Sequence, residues 1–292
     1  MNRKRTLALA LAAILLLAGC DRLAGSPTVT PPPGPTLTVA FLDIGQGDAI
    51  LIRSPNGKIM LIDGGNSQRD GQEVIIPKLR EWGAAQIDVM VATHPDADHI
   101  GGLPTVLENF PVASVALTGQ LHSTQVYERF LEDIRNLNVK AIRVRTGTQI
   151  PFDPAVNLEV LGPDAQFVAK EGETNNASIV IRMLYGQVSF MFTGDAELEE
   201  EAAILASGAD VRSTVLKVGH HGSRGSTGEA FLAAVAPQIG AITAGQGNQY
   251  GHPHSETLDR LKRAGLQIFR TDQSGTITVE TDGASIHVKT DH

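Results

Sequence analysis

The sequence predicts an α/β fold in which two sheets pack face to face with helices on the outside. Two observations carry this. Short apolar, partly β-branched stretches come in runs, separated by segments with helical spacing, and the pattern falls into two similar halves without a repeat at the residue level. In addition, the first three strands are bounded by turns that combine glycine with Asp or Asn, which marks them as one layer of a sheet.

Residues 37–43 and 49–53 read as strands around Gly45-Gln46-Gly47-Asp48, and Asn56-Gly57 is a strong hairpin signal leading to a third strand at 58–62. Residues 73–82 have helical spacing, with Pro77 tolerable only in the first turn or at a bend. An apolar strand at 87–93 follows, then helices at 103–109 and 124–136 flanking a strand at 114–117. Strands are expected at 140–144, 156–161, 178–184 and 187–192, with a polar loop at 170–177 before the last two. The acidic start of residues 196–206 suits a helix N-terminus. A strand at 214–218, a helix at 228–235 and a strand at 239–243 come next. Ser255 is the expected N-cap of a helix at 256–264, and short strands near 267–269, 275–280 and 285–288 finish the chain.

The ends and the composition narrow the class. Arg3, Lys4 and Arg5 precede an apolar run from Leu7 to Leu17, too short to span a bilayer and suited to an export signal at residues 1–20. Cys20 is the only cysteine, and with it consumed by lipidation at the end of the leader no disulfide and no cysteine-ligated metal site is possible. Residues 21–36 are rich in Pro, Gly, Ser and Thr and read as a tether, leaving residues 37–292 for one α/β domain. The net charge is −8, and because the leader carries +3 the exported part carries −11. Proteins that hold nucleic acid by general electrostatics are usually basic, so a polyanionic substrate would have to be drawn in locally.

The chemistry concentrates in Thr93-His94-Pro95-Asp96-Ala97-Asp98-His99-Ile100-Gly101-Gly102. Counted from His94, two imidazoles and two carboxylates stand at offsets 0, 2, 4 and 5, on a tight loop after a buried strand. Crowded donors of this kind resist desolvation unless a divalent cation, or a pair of them, sits among them.

The order of the motifs resembles the metallo-β-lactamase superfamily: Asp63 in LIDGG, then HPDADHIGG, Asp195 in TGD, KVGHHGS, and GHPH. It is most similar to the exported hydrolase domain of ComEC-type DNA-uptake competence proteins, through Leu42-Asp43-Ile44-Gly45-Gln46-Gly47-Asp48, HxDxDH, Asn175-Asn176-Ala177-Ser178 and His220 to Ser223. That resemblance covers residues 37–292 and implies a four-layer αβ/βα sandwich with two divalent ions at one edge. His94 and Asp96 would hold the first ion and Asp98, His99 and His252 the second, with Asp195 bridging. Asp63 and Asp48 would support them from behind. Asp96 stands where most of the superfamily has histidine, which makes manganese as suitable as zinc. Superfamily members usually have a ligand histidine between the central motif and Asp195; this chain has none between His122 and His220, and Asn175 or Asn176 is the expected substitute. His220 or His221 would donate a proton or hold a phosphoryl oxygen, and Asp98 would take part in the chemistry. Lys217, Ser223 and Asn176 are the expected substrate contacts, with Arg224 more suited to the surface.

Leu17-Ala18-Gly19-Cys20 itself looks like a bacterial lipobox, implying cleavage before Cys20 and a lipoprotein anchored through it on the outer face of the cytoplasmic membrane. The expected activity is phosphodiester hydrolysis, with DNA the foremost substrate. The alternatives are a cell-wall or small-molecule phosphodiesterase of the phosphocholine or teichoic type, and a non-catalytic lipoprotein that binds a polymer. No protein partner is indicated.

Overall fold

A computed structural model describes residues 34–170 and 172–292. The expected leader, Cys20 and residues 21–33 of the tether lie outside the described residues.

Strands are numbered in chain order. In the first sheet β1 (Leu37–Phe41), β2 (Ile50–Arg53), β3 (Ile59–Ile62), β4 (Val89–Ala92), β5 (Ser114–Leu117) and β6 (Lys140–Arg143) lie side by side. The second sheet contains β7 (Asn157–Gly162), β8 (Val180–Tyr185), β9 (Val188–Phe192), β10 (Val215–Lys217), β11 (Ile239–Ile242) and β12 (Gln267–Arg270). The chain then returns, and β13 (Ile277–Thr281) and β14 (Ile286–Thr290) extend the first sheet beyond β1, to give the order β14-β13-β1-β2-β3-β4-β5-β6. Both sheets are mixed: β3 to β6 are parallel, as are β9 to β12.

Alternation along the strands decides the layering. Leu37, Val39 and Phe41 of β1 join Phe190 and Phe192 of β9 between the sheets, whereas Ala40 and Leu42 face helices. The Phe41 and Phe192 rings meet across the interface at 6.3 Å, a contact worth about 0.5–1.5 kcal/mol beyond the area it buries. Helices Ile76–Glu81, Leu103–Asn109 and Gln125–Asn136 cover the outer face of the first sheet. Leu198–Ala206, Glu229–Val235 and Ser255–Arg263 cover the second. The four-layer αβ/βα sandwich is therefore present. No helix among the described residues is long and apolar enough to cross a membrane.

Two local expectations are corrected. The helical segment begins earlier than residue 73, with Gln68–Asp70 and a π-helical turn Gly71–Ile75 before Ile76–Glu81. Pro77 falls in the first turn of that last piece, directly after the π-helical turn. Ser255 is not the N-cap but the first helical residue; His254 takes the extended cap conformation, and its carbonyl accepts the Leu258 N–H.

Glu200 is an anomaly in this packing. It is 1% exposed and neither carboxyl oxygen has a hydrogen-bond partner. Burial, followed by the nearby Asp164 and Glu201 carboxylates, pushes its pKa well above the usual value. A folded-state pKa above the unfolded one means stability is greatest below the ordinary carboxylate range and is lost as pH rises through the folded value. Glu200→Gln is expected to remove that slope. Urea midpoints of both proteins across neutral pH should diverge upward in favour of the variant, and parallel curves would show a solvated carboxylate.

Candidate metal centre

Strand ends deliver the polar residues to one edge. β4 runs into Thr93-His94-Pro95-Asp96, after which Asp96 takes an extended N-cap conformation and Ala97–Ile100 forms a single helical turn. The four donors were expected on a loop; Asp98 and His99 are instead helical, which turns His99 inward to 0% exposure. Gly101 and Gly102 do more than stop the turn. A Cβ at Gly101 would lie 2.2 Å from the Asn66 carbonyl carbon, and one at Gly102 2.3 Å from the Gly64 oxygen. The bare backbone lets the helical turn press on the end of β3, where Gly101 and Gly102 N–H groups donate to Gly65 and Gly64. Gly47 allows a similar approach on the other side: its φ is +129° and a Cβ would sit 2.2 Å from the Asp98 carbonyl oxygen.

Asp63, at the end of β3, organises the imidazoles. Its Oδ1 accepts the Thr93 N–H at 2.8 Å, and its Oδ2 accepts the Thr93 hydroxyl at 2.7 Å and His99 Nδ1–H at 2.8 Å. With the Thr93 hydroxyl donating to Asp63, its oxygen is left to accept from His94 Nδ1 at 3.1 Å. Both rings thus turn Nε2 toward the centre, as a carboxylate behind a ligating histidine does.

The second sheet closes the cluster. After β9, Gly194 takes φ +51°, and Asp195 follows with its N–H on Ser178 Oγ. After β10, His220 and His221 both adopt left-handed backbone, φ 48° and 53°. Two such residues in succession are strained for side chains larger than glycine and swing the His221 ring beneath Thr243, whose carbonyl accepts from Nδ1 at 3.0 Å. His221 Nε2 then lies 3.5 Å from Asp98 Oδ2 and 3.6 Å from Asp195 Oδ2, while His99 Nε2 lies 3.2 Å from Asp195 Oδ1. Beside them, His94 Nε2 stands 3.7 Å from Asp96 Oδ2.

Nε2 of His94, His99 and His221 and Oδ1 of Asp195 are buried without hydrogen-bond partners. Such atoms are costly unless something compensates them, and their donor types suit a divalent cation. Asp98, His99, Asp195 and His221 offer ligand atoms all within 4.8 Å of one another. The His and Asp side chains are positioned to bind a metal. Charge coupling agrees. Burial alone would raise the Asp195 carboxyl, but the His99 and His221 imidazoles hold it well below its usual value. Burial would likewise lower His221, and Asp195 and Asp48 overcome that to about 9.

Several sequence assignments change. Lys217 does not contact substrate space: it is 0% exposed, its ammonium 2.9 Å from Asp48 Oδ2 and donating to the Val218 carbonyl. Asp48 also accepts the Thr243 hydroxyl and lies 3.4 Å from His221 Nδ1, so it supports His221 from behind. Ser223 is nearly buried, its hydroxyl accepting the Gly225 N–H. Asn176 caps the following helix, its Oδ1 accepting the Glu197 and Glu200 N–H groups, which engages that oxygen away from the metal cluster. Asn175 does line the site, an open cavity of about 140 Å³ shared with Asp96, Asp98, Asp195, His220 and His252. His252 lines the same cavity, its ring 6.2 Å from that of His221 and its Nδ1 buried without a hydrogen-bond partner. Thr93, Thr243 and Gln46 escaped the sequence reading. Thr93 and Gln46 lie inside quoted motifs, whereas nothing in the sequence marks Thr243. Arg224 is exposed beside Glu256, as a surface charge should be.

Comparison with known proteins agrees with this geometry. A family model described as the Metallo-beta-lactamase superfamily matches residues 42–245. Among curated proteins, ComE operon protein 3 of Bacillus subtilis is 34% identical over 82% of this chain and 32% of its own length. Competence protein ComA of Neisseria gonorrhoeae is 30% identical over 91% of this chain and 35% of its own. The chain spans about a third of the length of these relatives. Among solved structures, CmlA, a diiron beta-hydroxylase from Streptomyces venezuelae, superposes with a TM-score of 0.56 over 86% of this chain and 55% of its own, at 12% identity. At that identity the likeness is one of fold alone.

Proposed function

Because this chain belongs to the metallo-β-lactamase superfamily, whose fold is that of metal-dependent hydrolases, we propose that it is an exported phosphodiesterase acting on DNA through two divalent ions. The observation that carries the reading is the knot of buried, unpartnered Nε2 atoms around Asp195. Asp98, His99 and His221 would hold one ion, His94 and Asp96 the other, and Asp195 would lie between them. Asn175, at the cavity wall, would stand in for the missing histidine. The mixed oxygen and nitrogen donors suit manganese or zinc. When bound, the ions would supply an activated water and neutralise charge on the phosphoryl oxygens. His220 is the proton donor for the leaving oxygen: it is partly exposed at the rim, Nε2 3.5 Å from Asp195 and Nδ1 3.4 Å from Glu197. The names of the competence relatives favour DNA. Export would place the site outside the cytoplasmic membrane, anchored through Cys20.

One observation favours a smaller or cell-wall phosphodiester instead: neither lysine nor arginine lines the cavity. The full chain, stripped of metal and resupplied with manganese or zinc, decides between them. Cleavage of single- or double-stranded DNA that requires the ion is the expected result. Two ions bound without cleavage would favour the small ester, and no bound metal would favour a binding protein.

A further inference from the structure

Beside the metal cavity lies a second one of about 380 Å³, which shares Gln46, Asp98 and Tyr250 with it as common walls. That volume is in the range of small-molecule sites. Its remaining walls are Asn66, Asn248, Gln249 and Ala97, so carboxamides dominate and no cation is present. Tyr250 is 54% exposed, unusual for a large aromatic side chain. It is backed by the His252 ring, at 5.7 Å and 23° between planes. Its loop is organised: Asn248 Oδ1 accepts the Tyr250 and His252 N–H groups, and its amide donates to Gly245. Gln46 accepts the Gly245 N–H through Oε1, which leaves its Nε2 buried and without a partner.

We infer that this annex is a nucleobase subsite, in which an unpaired base next to the scissile phosphate stacks on Tyr250 and hydrogen-bonds to Gln46 and its carboxamide neighbours. The inference rests on the phosphodiesterase reading and refines its substrate to single-stranded nucleic acid. The chemistry is specific. Carboxamides can both donate to and accept from base edges, and an aromatic ring held by a neighbour offers any base a stacking partner. A paired base keeps its faces inside the duplex. The absence of lysine and arginine from both cavity linings removes the usual source of duplex affinity and leaves stacking as the principal attraction.

The test compares a short oligothymidylate with an abasic oligonucleotide of equal length, using metal-loaded full-length protein. Both cleavage and binding by fluorescence anisotropy are read, for wild type, Tyr250→Ala and Tyr250→Phe. Wild type should prefer the base-bearing strand in KM and in binding by at least about fivefold, the low end for one stacked base. The preference should vanish in Tyr250→Ala, persist in Tyr250→Phe, and be lost when a complementary strand is annealed. Cleavage of both oligonucleotides with equal KM in wild type would overturn the subsite and leave the phosphodiesterase reading intact. A Tyr250→Ala variant that weakens both alike would also overturn it, because tyrosine would then only shape the loop. If neither strand is cut, the reading as a DNA phosphodiesterase fails, and the ratio of the two binding constants still decides the subsite.

Discussion

Asp195→Asn is expected to abolish metal-dependent hydrolysis and to lower metal content in the purified protein. The carboxylate is 2% exposed and faces three imidazoles: His99 Nε2 at 3.2 Å, His220 Nε2 at 3.5 Å and His221 Nε2 at 3.6 Å. Residues that merely orient ligands typically cost about 10–100-fold in affinity or activity when lost, so a group at the centre should exceed about 100-fold. The amide cannot supply the charge and points N–H groups at atoms that must themselves donate electron pairs. The fold should survive, since the Asp195 backbone N–H on Ser178 is untouched. Metal content by elemental analysis, beside a thermal melt of the metal-free proteins, checks this. A variant that keeps both ions and its activity would remove Asp195 from the centre.

Lys217→Met should be the most destabilising single change near the site, by about 3–5 kcal/mol. The reason is the group left behind. The Asp48 carboxylate is buried, and burial alone would raise its pKa; the Lys217 ammonium at 2.9 Å is the largest influence that reverses this and brings it below the ordinary value. Without the ammonium, only the Thr243 hydroxyl and the neighbouring imidazoles face that charge. A depressed folded-state pKa contributes stability above the unfolded value and loses it as pH falls through the folded one. The gap between variant and wild type should therefore be widest near neutrality and narrow below about pH 4. Adding Asp48→Asn should recover part of the loss, because an apolar methionine beside an amide strands no charge. Urea unfolding of the two single variants and the double variant gives the coupling. Additive losses would mean that Lys217 and Asp48 are not energetically paired.

The competence of the sequence ends where side chains must choose partners. Period-two runs ending in glycine and carboxylate were enough for the two mixed sheets, because each strand has one face that must leave water. HxDxDH was enough to mark where donors suited to a metal gather, because its four donors lie within six residues and need no long-range folding to meet. The second-sheet contribution was different. Lys217, Ser223 and Asn176 are polar residues close to motifs and looked free to meet substrate. Only the packing shows that Lys217 is spent on Asp48, Ser223 on its own loop, and Asn176 on two helix N–H groups. His221 joins the buried cluster for a backbone reason: consecutive left-handed residues, which local sequence does not announce, turn it inward. Sequence by itself determined the layers, the edge where the site lies and the central donors. Tertiary structure alone decided which polar groups satisfy each other and which stay unpaired, since a hydrogen bond between residues as distant as Asp48 and Thr243 depends on how both sheets close.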